Sequence, residues 1–121
     1  MLRRSGLAAR RPVEEPRRVA AMLEHADLLL TAWVERELVG VARSLTDWQY
    51  CCYLSDLAVD RAWQRRGIGR QLVALTRAAL HPDCLLLLLS APDAVTYYPH
   101  LGFTHHPQAW TTRAGAGAEP G

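Results

Sequence analysis

The stretch Tyr53–Leu75, YLSDLAVDRAWQRRGIGRQLVAL, limits most strongly what this chain can become. An alternating run ending at Val59 passes into an arginine-rich turn with two glycines, then directly into a helical pattern. In that pattern Ile68, Leu72, Leu75 and Ala79 recur at +4, +3 and +4 spacing, one apolar face of a helix. A helix that starts straight after a loop presents unpaired main-chain N–H groups and the positive end of its dipole. Gly67 and Gly69 carry no Cβ, so the backbone can approach a ligand closely, and donors of this kind favour an anion. Two familiar phosphate loops fail the test. A dinucleotide fingerprint needs a glycine where Leu72 stands, and a Walker loop needs a lysine, which the chain does not contain.

The elements around this stretch follow from periodicity and turn residues. Residues 1–12 read as a short helical or irregular piece, and Pro16 suits the first turn of a helix running to about His25. Asp27–Glu35 and Leu38–Thr46 read as an antiparallel hairpin with a tight turn at Arg36–Glu37, and Asp47–Gln49 turn the chain into a strand over Tyr50–Val59. That strand alternates, with Tyr53, Ser55, Leu57 and Val59 on one face and Leu54, Asp56 and Ala58 on the other. CLLLLLS from Cys84 is apolar on both faces and reads as a central, buried, parallel strand. A helical turn from about Pro92 to His100 ends at Gly102, and FTHHPQAWTTR gives a broken strand or short hairpin with the break at Pro107. One domain is expected over residues 1–113, followed by a disordered tail over 114–121.

Composition matters mainly by exclusion. A net charge of +2 is too small to argue for nucleic acid or a membrane surface, and the longest apolar run is too short to span a bilayer. Fourteen basic residues without one lysine exclude any lysine-based mechanism. Cys51, Cys52 and Cys84 form no disulfide framework, and no pair of histidines or cysteines has metal-ligand spacing, so no metal is expected. The basic start lacks the apolar core of a secretory signal. The expected location is cytoplasmic.

Gln64-Arg65-Arg66-Gly67-Ile68-Gly69, after a strand carrying LAVD, resembles the Gln/Arg-x-x-Gly-x-Gly/Ala signature of the GCN5-related N-acetyltransferases, the GNAT superfamily. Tyr97–Phe103, YYPHLGF, resembles the second landmark of that family, in register and with an apolar strand between. The resemblance covers roughly residues 13–112. It implies an α/β fold with a mixed, twisted, mostly antiparallel sheet and flanking helices. It also implies acetyl transfer from acetyl-CoA to a primary amine by direct attack in a ternary complex.

Further residue roles come from the same resemblance. Leu57, Ala58 and Val59 would hold the pantetheine arm as an added strand, and Gln64, Arg65, Arg66, Gly67, Ile68, Gly69 and Arg70 would hold the phosphates. Tyr98 would protonate the leaving thiolate. Asp56 is either the general base, its pKa raised by partial burial, or an arginine-paired structural carboxylate. Asp60 reads as a cap at the start of the loop. Arg43, Asp47, Trp48, Tyr50 and Trp110 are candidates for the acceptor side.

Two departures stand out. Ala91 stands where relatives commonly have an asparagine, so it would meet the cofactor through main-chain contacts in place of a side-chain one, and the chain opens inside the end of the expected first helix. The second departure implies that the first strand is absent or encoded upstream. An open edge at Asp27–Glu35 would then favour a homodimer, unless residues 1–12 cover it. The same departures support an alternative function, a coenzyme A-binding regulatory or interaction module without turnover.

Overall fold

The structure, a computed structural model, describes residues 1–116. A four-stranded sheet in the order β1-β2-β3-β4 forms its centre: β1 Leu28–Val34, β2 Glu37–Thr46, β3 Cys51–Val59 and β4 Leu85–Leu87. The first three strands are antiparallel and β4 runs parallel to β3. Three α-helices flank the sheet: α1 Leu2–Ser5, α2 Pro16–Glu24 and α3 Ile68–Ala78. The mixed α/β class and the mostly antiparallel sheet are as expected. Among the described residues no helix is long and apolar enough to cross a membrane.

The turns carry the chemistry that fixes the register. Glu35 closes the β1–β2 hairpin in the left-handed region at φ 56°. Between β2 and β3, the Asp47 carboxylate accepts the N–H groups of Gln49, Tyr50 and Cys51 at 3.0, 2.8 and 3.1 Å. Such side-chain-to-backbone bonds make a turn out of residues that no ladder can satisfy.

β3 departs from simple alternation. Arg43 faces Asp56 but Ser44 faces Leu54, so Ser55 is an extra residue opposite none, a β-bulge. The expected assignment of Leu54 and Leu57 to opposite faces is therefore corrected. Both lie on the side of α3, where Ala42, Leu54, Leu72, Val73 and Leu101 form the buried core. Gly40 sits under α3, and an added Cβ would stand 3.1–3.2 Å from Ile68, Ala32 and Leu72. Gly40→Val is expected to overpack this contact and cost about 1–3 kcal/mol. A lowered denaturant midpoint with an unchanged slope would show it.

The leucine run is also corrected. It pairs parallel to β3 as expected, but at the edge of the sheet, and only Leu85–Leu87 pair with it. Leu85 is 52% exposed and Leu87 39%. No strand forms over residues 103–113, where one or two were expected. Pro107 cannot donate to a ladder, while Phe103 leaves the line of the chain to pack edge-on against Tyr98 beneath the Arg77 guanidinium. Of the expected tail, a turn closes between Arg113 and Ala116, and residues 117–121 lie outside the described residues.

Two arginines of the N-terminal segment tie it to β2, β3 and the residue after β3. Arg4 donates to the Leu38 carbonyl and to Asp60 Oδ2, and Arg11 to the Ser55 carbonyl and Asp56 Oδ1. Those anchors are not along the outer edge of β1, the place that residues 1–12 would take in the alternative to an open edge.

Candidate functional site

β3 and β4 stay paired only as far as Tyr53 and Leu87, then part. Beyond that point a cleft of about 780 Å³ opens, floored by Leu54, Ser55, Leu57, Ala58 and Val59 of β3 and bounded by Leu88, Leu89 and Ala91 after β4. The start of α3 closes one side, Tyr97 and Tyr98 another, and residues 5–11 form a further wall. Leu57, Ala58, Val59, Gln64, Arg65, Gly67, Gly69, Arg70 and Ala91, all named from the sequence, meet in this one cleft. Arg66 and Ile68 do not line it. Arg66 stacks over the Trp63 ring at 4.7 Å, and Ile68 packs against the core.

The loop is held at its start, where the chain leaves β3. Gln64 Nε2 donates to the Val59 carbonyl at 3.0 Å, and Asp60 Oδ1 accepts from Ala62 N–H at 3.0 Å, the expected cap. The bond from Ala62 N–H holds the Asp60 carboxyl below its ordinary pKa against the effect of burial, with Arg4 adding to the shift. Arg65 and Gly67 both take positive φ, 65° and 84°, and Gly67 is the N-cap of α3. The two glycines serve different ends. A Cβ on Gly67 would meet nothing within 4 Å, so glycine is needed there for its dihedral angle, and the space in front is open. A Cβ on Gly69 would stand 2.7 Å from the Tyr97 hydroxyl. Gly69 therefore makes room for a tyrosine, where clearance for an anion was expected.

Tyr98 opens the short 3₁₀ helix Tyr98–Leu101, which Gly102 ends in the left-handed region at φ 87°. Its ring lies edge-to-face with Tyr97 at 5.3 Å and with Phe103 at 5.7 Å, facing the cleft on one side and the core on the other. Burial, and then the neighbouring Tyr97, push its phenol above the ordinary tyrosine pKa. It is a proton donor at neutral pH.

Asp56 lies away from the cleft, in a separate apolar hollow of about 210 Å³ beneath α2. Arg43 Nε bonds one carboxylate oxygen at 2.5 Å and Arg11 Nε the other at 2.6 Å. The Asp56 side chain is 5% exposed and that of Arg43 7%. Burial pushes the carboxyl up, but the bonds and charges of Arg43 and Arg11 outweigh it, so its pKa is lowered. The expected upward shift is corrected. Two arginine donors favour the anion more than desolvation penalises it.

The acceptor candidates scatter. Arg43 is spent on Asp56 and on the Ser55 hydroxyl at 3.0 Å. Asp47 serves its own turn, where the N–H groups of Tyr50, then Cys51 and Gln49, hold its pKa down. Trp48 and Tyr50 sit at that same turn, beyond the paired ends of β3 and β4 and away from the cleft. Trp110 is 91% exposed. The three thiols are free and do not line the cleft, and burial raises the Cys84 pKa. Sequence reading missed Arg10, Arg11 and Tyr97 as cleft residues. Only the basic character of residues 1–12 hinted at the arginines, since Arg11 and Asp56 are 45 positions apart.

Comparison with known proteins agrees with this geometry. The family model described as "Acetyltransferase (GNAT) domain" matches residues 5–117. GCN5-related N-acetyltransferase 2, chloroplastic, of Arabidopsis thaliana is 34% identical over 76 residues, covering 61% of this chain and 30% of that protein. GCN5-related N-acetyltransferase 1, chloroplastic, of the same plant is 29% identical over 102 residues, 79% of this chain and 51% of that one. The chain thus spans between about a third and a half of the length of these curated relatives. Among solved structures, a GNAT-family acetyltransferase from Streptococcus pneumoniae TIGR4 superposes with a TM-score of 0.68 at 22% identity, covering 80% of each chain. A putative acetyltransferase of the GNAT family from Xanthomonas campestris pv. campestris gives 0.65 at 27%, covering 82% of this chain and 71% of that one. With the strand, the glycine loop, the helix and the tyrosine meeting in one cleft, and a family model spanning nearly all of it, this chain belongs to the GNAT acetyltransferase family.

Proposed function

We propose that this chain transfers an acetyl group from acetyl-CoA to a primary amine by direct attack in a ternary complex. The observation that carries the reading is the parting of β3 and β4 beyond Tyr53 and Leu87, with the start of α3 at the rim. An unpartnered strand floor suits an extended amide-bearing arm held by main-chain bonds. The N–H groups at the start of α3, with Arg65 and Arg70 beside them, suit its phosphates. The amine nitrogen forms a bond to the thioester carbonyl carbon as the carbon–sulfur bond breaks. Tyr98 supplies a proton to the departing thiolate, and water takes the proton from the amine. Water is preferred to Asp56 because both oxygens of that carboxylate are taken by arginines outside the cleft.

A panel of amines with free-thiol release as the readout tests the reading. Binding of acetyl-CoA with no turnover on any amine would favour the second reading, a coenzyme A-binding module, which the arginine-bound state of Asp56 also supports. Tyr98→Phe removes only the hydroxyl. It is expected to lower kcat by about 10²-fold, the lower end for a lost general acid, while the acetyl-CoA thermal shift is kept. An unchanged kcat would take the proton-donor role from Tyr98.

A further inference from the structure

The β3 bulge is held by side chains from β2 and from outside the sheet. Ser55 has no partner on β2, yet four bonds from two guanidinium groups, one far away in sequence and one across the sheet, fix Ser55 and Asp56. Arg11 spans the Ser55 carbonyl and Asp56 Oδ1 at 2.6 Å each, while Arg43 spans Asp56 Oδ2 and the Ser55 hydroxyl at 2.5 and 3.0 Å. Arg43 belongs to β2 and would be present in any folded sheet. Arg11 belongs to the segment that also walls the cleft.

We propose that Arg11 is a positioning residue for acetyl transfer, fixing the bulged floor of the cleft at Ser55 and coupling that floor to the docking of residues 5–11. The proposal rests on the acetyltransferase reading. Bulges re-aim the strand that carries them, and one left without ladder bonds takes whatever geometry its remaining partners impose. Arg11 binds the Ser55 main chain directly, so its loss changes the aim of the strand on which the acyl donor would lie. A misplacement of about 1 Å at a reacting centre costs on the order of 10²-fold in rate. Lysine cannot replace the guanidinium, because one ammonium does not reproduce a planar fork that spans two acceptors.

Arg11→Ala, Arg11→Lys and Arg4→Ala separate this from a general loosening of the segment. Arg4 anchors the same segment at Asp60 and Leu38 but touches neither Ser55 nor Asp56 and does not line the cleft. The expected result for Arg11→Ala is a kcat lowered about 10- to 100-fold, with the KM for acetyl-CoA within about threefold of the parent. Arg11→Lys is expected to fall between, and Arg4→Ala to stay within about threefold in both constants. Amide hydrogen exchange should quicken at Ser55–Leu57 in Arg11→Ala, without change at the β1–β2 pairing. Unchanged kcat, unchanged exchange at the bulge, or equal losses in Arg11→Ala and Arg4→Ala would each overturn the positioning role. Absence of turnover in the unaltered protein would instead overturn the acetyltransferase reading, and the positioning role with it.

Discussion

Asp56→Ala is expected to lower the unfolding free energy by about 3–5 kcal/mol, the range for breaking one partner out of a buried ion pair. The cost comes less from the lost attraction than from what stays behind. The Arg43 side chain is 7% exposed and would keep a full charge with no carboxylate to meet it. Arg11 would lose its Nε acceptor as well. A fall in Tm on the order of 10 °C or more should follow. The pH dependence supplies a second check. Because the folded pKa of Asp56 lies below its unfolded value, its stabilisation is fully present above the unfolded carboxylate pKa of about 3.9. That contribution is lost as the pH falls through the folded pKa, so the variant should lack this part of the acid-induced loss. A destabilisation under about 1 kcal/mol would mean that the pair is solvated in solution and contributes only as a surface pair does. Where Asp56→Asn still folds, its pH–rate profile should keep the acidic limb. Loss of that limb would return the general-base role to Asp56.

Gly67→Asp is expected to abolish the stabilisation that acetyl-CoA gives the parent protein. At a ligand concentration a hundred times Kd, binding to the native state alone adds about 2.7 kcal/mol. In a domain of this size that is a Tm increase on the order of 10 °C. The substitution leaves the fold able to form, since no protein atom lies within 4 Å of the new Cβ. Aspartate is also among the residues that tolerate the left-handed region, and φ here is 84°. What changes is the space in front of the α3 start, which would carry a negative charge where the proposed phosphates sit. Gly67→Asn is the companion variant, similar in shape and without the charge. It should keep part of the shift. A full shift in Gly67→Asp would remove the loop from the cofactor site.

How far the sequence could be read depended on the range of the interactions involved. The glycine loop, the α3 start and the stop at Gly102 were legible because each is written in a few adjacent residues whose dihedral angles or spacing permit little else. The strands β1, β2 and β3 were legible within a residue or two for the same reason, since period-two patterns and an Asp-led turn are local. Tertiary structure decided the rest. The apolar leucine run could not report that it lies at an edge, because that depends on whether residues 103–113 supply a neighbour, and they do not form a strand. The bulge at Ser55 shifts every side chain before it to the other face, and no single residue there announces an extra position. The pKa of Asp56 was beyond local reading as well, since burial and ion pairing push it in opposite directions. Arg43, reached across the sheet, and Arg11, brought in by the fold, settle which effect wins. Short-range chemistry thus determined where an anion could sit, and only the folded chain decided which charges surround it.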